Sequence, residues 1–145
     1  MNSPSPMTQL RRGRWLGRVM LVDDDYLNAM RIARALEDLG IDVIVVKGAE
    51  EALAALANGE PCRLIVTDVV MPWPDIFGRP ITEEMTGIEL TRWIQKRYMI
   101  PVVGQSIDNS YREWFVTYAN GFISKTLPYD FAQEVGSRLR ALREA

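Results

Sequence analysis

Five short apolar runs without polar alternation constrain this chain more than any other feature. Val19, Met20, Leu21 and Val22 form the first, Val43, Ile44, Val45 and Val46 the second, and Leu64, Ile65 and Val66 the third. Residues 100–103 and 122–123 supply two more. Continuous β-branched and aliphatic runs of this length fit strands buried on both faces, as parallel strands are. The segments between them are spaced for helices. Leu27, Met30, Ile32, Ala35, Leu36 and Leu39 share one helical face and stop at Gly40, and residues 49–57 stop at Asn58 and Gly59, both plausible C-terminal glycine stops. Further helices are predicted over 88–97, 110–119 and 129–143. Parallel strands need crossover helices, and the crossovers are right-handed, so the prediction is an α/β fold: a doubly wound five-stranded parallel sheet covered on both faces.

Composition removes many functions. The 145 residues contain no histidine, which excludes a histidine base, a histidine metal ligand and the Ser-His-Asp and Cys-His nucleophile schemes. Cys62 is the single cysteine, so neither an internal disulfide nor a cysteine-cluster zinc site can form, and a reducing, cytoplasmic setting is expected. It is expected to pack as a small hydrophobe. A net charge of −2 does not describe a general nucleic-acid binder. No apolar run is long enough for a signal peptide core or a membrane span. Residues 1–16 are expected to be a flexible N-terminal segment, with Arg11, Arg12, Arg14 and Arg18 forming a basic tail, and 17–145 a single domain. The stretch 73–84, with Pro74, Gly78 and Pro80, stands out as an inserted loop.

Ligands of open α/β sheets bind beyond the carboxyl ends of the strands, where strand order reverses. The first strand runs into Asp23, Asp24 and Asp25, the third into Asp68, the fourth into Ser106 and the fifth into Lys125. Carboxylates at adjacent strand ends repel, and a hard divalent cation relieves them. Mg2+ takes oxygen ligands, often one or two carboxylates with a phosphate oxygen. A lysine pairs with a carboxylate or a phosphoryl group, and a serine hydroxyl donates to a phosphoryl oxygen. The set describes phosphoryl transfer with an aspartate nucleophile. Each residue also has a plainer reading: aspartates after a strand cap helices, which is the expectation for Asp25, and Ser106, Lys125 and Phe122 alone would pass as loop, surface and core residues.

These pieces together resemble the receiver domain of two-component response regulators, of flavodoxin-like (βα)5 fold. The resemblance rests on Val22-Asp23-Asp24-Asp25, on Asp68 with Val69-Val70-Met71-Pro72, on Met85 to Leu90, on Pro101 to Ser106 and on Gly121 to Lys125. It spans about residues 17–143. It implies that Asp68 is the phosphoacceptor and that Asp23, Asp24, Asp68 and the Val70 backbone carbonyl hold Mg2+. Ser106 matches the switch hydroxyl, Phe122 the switch aromatic and Lys125 the lysine that contacts the phosphoryl oxygens. The implied donor is a phosphohistidine on a histidine kinase or phosphotransfer protein, with later hydrolysis, so the chain is a phosphoacceptor rather than an enzyme. Output then goes through a protein target or a homodimer, by the face of helix 4, strand 5 and helix 5. No DNA-binding domain is expected, and a stand-alone receiver is the expectation.

Several positions depart from the family pattern. Thr126 replaces the usual proline after Lys125, and since a cis bond before a non-proline costs roughly 2.5–4 kcal/mol, a trans bond is expected. Ile107 is bulkier than usual beside the site. Thr86 stands where the family has aspartate, and residues 73–84 replace a single residue, with Trp73, Ile76 and Phe77 as apolar anchors and Asp75, Glu83 and Glu84 as a charged rim. Such a loop is either a lid or partner contact, or a tolerated insertion. Tyr111, Trp114, Phe115 and Tyr118 form a helical stripe, more aromatic surface than a two-turn helix needs for docking. Two other readings remain: a degenerate receiver that binds partners without phosphorylation, and a haloacid-dehalogenase-type phosphohydrolase using Asp23.

Overall fold

The apolar runs form one parallel sheet. In the computed structural model, which describes residues 17–72 and 85–144 with side chains through 142, the strands are β1 (Arg18–Val22), β2 (Asp42–Val46), β3 (Leu64–Asp68), β4 (Val102–Ser106) and β5 (Phe122–Ser124), in the order β2-β1-β3-β4-β5. The expected segment at 1–16 and loop at 73–84 lie outside the described residues. The helices are α1 (Tyr26–Asp38), α2 (Ala49–Ala57), α3 (Thr86–Arg97), α4 (Arg112–Tyr118) and α5 (Pro128–Glu144).

Strand alternation sorts the apolar residues into two layers. Val19, Leu21, Leu64, Val66, Val103 and Ile123 face α1 and α5, where Ile32, Leu36, Phe131, Val135 and Leu139 complete a buried cluster. Met20, Val22, Ile65 and Val102 face the other way, against Leu53 and Leu56 of α2 and Leu90 and Ile94 of α3. This two-sided burial is why the strands read as unbroken apolar runs. Helix ends follow local chemistry. The Asp25 side chain caps α1 by accepting the Asn28 N–H, and Gly40 takes φ +81° after that helix, a left-handed geometry that glycine adopts without Cβ strain.

Most boundaries shift by a residue or two from the sequence expectation, and three differences have a clear physical reason. β4 starts at Val102 rather than residue 100 and carries on through Gln105 and Ser106, because Gln105 pairs in register with Asp68 on β3, and Gln105 and Ser106 pair with Ile123 and Ser124 on β5. The helix expected from residue 110 opens instead with a 3-10 turn, Asn109–Tyr111, capped by the Asp108 carboxylate accepting the Ser110 N–H. Arg18 belongs to no tail: it begins β1 and its guanidinium pairs with Glu60 at 2.9 Å.

Strand order reverses between β1 and β3, whose parallel registers put Val22 beside Thr67. Asp23 and Asp68 therefore emerge side by side at the carboxyl end of the sheet.

Candidate functional site

Backbone geometry sets each carboxylate. The Asp23 N–H donates to the Val46 carbonyl, continuing the β1–β2 ladder by one residue, while its Oδ1 accepts the Asp25 N–H at 2.9 Å. Asp23 is fully buried and Asp24 is exposed at the rim. Asp68 ends β3, buried, with its carbonyl accepting the Thr67 hydroxyl at 3.0 Å. Oxygens of Asp23, Asp24 and Asp68 lie within 4.8 Å of one another. Lys125, directly after β5, places Nζ 3.0 Å from Asp68 Oδ1 and 3.6 Å from Asp23 Oδ2. Its N–H donates to the Ser106 carbonyl, which ties the lysine to the end of β4. Ser106 is buried, and its Oγ accepts the Asp108 N–H. No cis peptide occurs among the described residues, so the Lys125–Thr126 bond is trans.

Three acids face one lysine, and the imbalance is visible at Asp68. Burial pushes the Asp68 carboxyl up to about 7, the Asp23 charge adds to the rise, and Lys125 opposes it. Burial works to lower Lys125, but attraction from Asp68, then Asp23 and Asp24, outweighs it and its pKa is raised. The lysine is thus a fixed cation and Asp68 an undercompensated carboxylate. An oxygen-rich pocket with surplus negative charge fits a hard divalent cation such as Mg2+.

The approach to the site is pinned from below. Gly87 at the start of α3 donates its N–H to the Val69 carbonyl, and a Cβ there would run into the Asp68 carbonyl. Thr86, one of the departures from the receiver pattern, is fully buried and donates its hydroxyl to the Met71 carbonyl at 2.7 Å. The start of α3 is thus tied to the segment that follows β3. Val70 is exposed at the rim and Ile107 beside Ser106 is more so.

The aromatic stripe divides. Phe115 is fully buried and so is part of the core; it packs on Phe122, with ring centroids 6.2 Å apart. Phe122 is buried too, and the Arg112 guanidinium lies 5.4 Å over its ring. Gly104 makes this possible, because a Cβ there would come within 2.6 Å of the Phe115 ring. Trp114 and Tyr111 are half-buried and Tyr118 is exposed. Trp114 and Tyr118 line a surface groove with Arg92 and Gln95 of α3, Arg92 standing 5.6 Å from the Trp114 ring. Cys62 is half-buried and burial pushes its thiol up to about 11, which keeps it protonated at neutral pH. Gln105 is the site residue that the sequence reading passed over: its Nε2 lies 3.5 Å from Asp23 Oδ2. The available signal was a polar side chain inside an apolar strand run.

Residues 19–133 match the model of the response regulator receiver domain. The chain belongs to that family. Among curated proteins it is similar to the sensor protein GacS of Pseudomonas syringae pv. syringae, 28% identical over 110 residues that cover 76% of this chain and 12% of that one. It is also 36% identical over 85 residues to the sensor histidine kinase GacS of Pseudomonas protegens, covering 59% and 8%. The chain thus spans about a tenth of the length of these relatives. Among solved structures, the receiver domain of the Francisella response regulator 1452 is 25% identical with a TM-score of 0.68, covering 88% of this chain and 97% of that one. The response regulator TrrA of Thermotoga maritima, in complex with Mg2+-BeF, gives 0.68 at 21% identity, covering 84% and 97%. Chemotaxis response regulator CheY4 of Vibrio cholerae gives 0.66 at 22%, covering 84% and 97%. Membership in the receiver family leaves the phosphohydrolase reading without support. Receivers are signalling modules of two-component systems, and among the described residues no helix is long and apolar enough to cross a membrane.

Proposed function

We propose that this chain is a phosphorylation-switched receiver whose phosphoacceptor is Asp68. The observation that carries the reading is the buried Asp68 carboxylate held at 3.0 Å by Lys125 beside two further acids at the strand-order reversal. Asp23, Asp24, Asp68 and the Val70 carbonyl are the groups that would hold Mg2+, which when bound neutralises the acids and the incoming phosphoryl oxygens. In the transfer, an Asp68 oxygen bonds to phosphorus as the N–P bond of a partner's phosphohistidine breaks, and the electron pair leaves on the imidazole nitrogen. The donor is a histidine kinase or a phosphotransfer protein. Lys125 holds the carboxylate in place and its charge offsets that of the added phosphoryl group. Ser106, at the end of the neighbouring strand, is the hydroxyl that turns to a phosphoryl oxygen, and hydrolysis resets the site.

The switch is read out through Phe122 and the face of α4, β5 and α5, with Tyr111, Trp114 and Tyr118 as contacts for a protein target or a second copy, and Phe115 as the packing that transmits the change. The setting is cytoplasmic, where no disulfide is needed. Residues 17–145 act as the receiver unit, with 1–16 as an appended segment and 73–84 as an insertion in the sequence between β3 and α3. The test is intact mass after incubation with acetyl phosphate and Mg2+. Wild type is expected to gain one phosphoryl group and Asp68→Ala none. Failure of wild type to gain it from either acetyl phosphate or a kinase donor overturns the reading in favour of a receiver that binds partners without phosphorylation.

A further inference from the structure

Gln105 sits in β4, fully buried, in register with Asp68 on one side and Ile123 on the other. Alternation places it on the sheet face of Val103, the face that Val19 and Leu21 share and that continues upward to Asp23. Its Nε2 donates toward Asp23 Oδ2 at 3.5 Å, and its Oε1 is buried with no hydrogen-bond partner. Packing alone gives no reason for an amide here. A methionine of similar volume would fill the space and leave no orphan acceptor, and an unpaired buried acceptor weakens the fold. What the amide adds is control of one carboxylate. Asp23 Oδ1 is already held by the Asp25 N–H, so the Gln105 contact fixes the second oxygen, on the side where Lys125 also approaches.

We propose that Gln105 is a positioning residue for the cation site: through Nε2 it bears on Asp23 and so aims one of the carboxylates that would take the cation. The inference rests on the Mg2+ reading of the three acids. A carboxylate held at both oxygens is aimed before the cation arrives, so less ordering is required at binding.

The test is Mg2+ titration by isothermal calorimetry on wild type, Gln105→Met and Gln105→Leu, with thermal melts in EDTA as a separate readout. The expected result is Mg2+ affinity weaker by about tenfold in the variants, with Gln105→Met melting in EDTA at or above wild type. Two results overturn the role of Gln105: variants that bind Mg2+ within about twofold of wild type, or affinity and EDTA melting temperature falling together in both variants, which marks a packing role. Absence of Mg2+ binding by wild type is a different failure, since it removes the cation reading itself and this inference with it.

Discussion

Asp68 has a charge state that its surroundings control, and this carries a measurable consequence. Its folded pKa of about 7 lies above the ordinary unfolded value of about 3.9. Between these values the folded state binds more protons than the unfolded one, so this group's contribution to stability falls as pH rises and is fully lost above the folded pKa. With roughly 1.4 kcal/mol per pKa unit, the fall reaches up to about 4 kcal/mol. In EDTA, urea unfolding at pH 5 and pH 8 is expected to show the part of that decline lying between pH 5 and the folded pKa, about 3 kcal/mol, in wild type, and Asp68→Asn, which cannot titrate, is expected to lack it and to be the more stable of the two at pH 8. An equal pH slope in both proteins would mean that Asp68 is not the undercompensated acid. Asp23, Asp24, Asp68 and Lys125 were legible in sequence because each lies within two residues of the end of an apolar run. Gln105 was not, because its meaning depends on Asp23, 82 positions away, and no local pattern encodes that contact.

At the scale of elements, the carboxyl end of the sheet is shaped by close approaches that glycine permits. Gly104 lets the Phe115 ring lie directly on β4, which in turn seats Phe122. Gly104→Ala adds a Cβ within 2.6 Å of that ring, and overpacking of this kind is expected to cost about 1–3 kcal/mol. Denaturant unfolding of Gly104→Ala, Phe115→Leu and the double variant checks it. The double variant should recover part of the loss, and strict additivity would mean that the two residues do not meet. Helix α1 and its Asp25 cap were predictable from spacing and from the residue type at the boundary. The start of β4 and the 3-10 turn before α4 were not. The polar Gln105 and Ser106 look like the end of a strand, yet pairing with β3 and β5 on either side keeps them in the ladder.

For the whole molecule, the acid pocket and the aromatic face are two ends of one packed path. From Asp68 and Lys125 the path runs through Ser106 and β4 to Phe115, Phe122 and the half-buried Trp114. Mg2+ binding to the folded state alone is expected to raise stability by about 1.4 kcal/mol at a concentration ten times its dissociation constant. Thermal melts with and without Mg2+ measure this, and a melting temperature that does not respond would argue against a preformed site. Phosphorylation is expected to change the environment of Trp114, observed as a shift in tryptophan emission that Trp114→Phe removes. A shift that persists in that variant would place the change elsewhere.

The amino-acid sequence by itself determined the α/β class, the parallel sheet, the helix stops and the acids at the strand ends, because each is written in local periodicity or in a residue type at an element boundary. The resemblance carried by five short motifs named the family. Tertiary structure decided the rest. Only the strand order brings Asp23 beside Asp68, and only the folded path of β5 brings the Lys125 ammonium to 3.0 Å from the Asp68 carboxylate. It also decided that Phe115 is core while Tyr118 is surface, that the Thr86 hydroxyl binds the Met71 carbonyl, and that Gln105 faces an acid. These are contacts between residues distant in the chain, and charge and desolvation act through space rather than along the backbone.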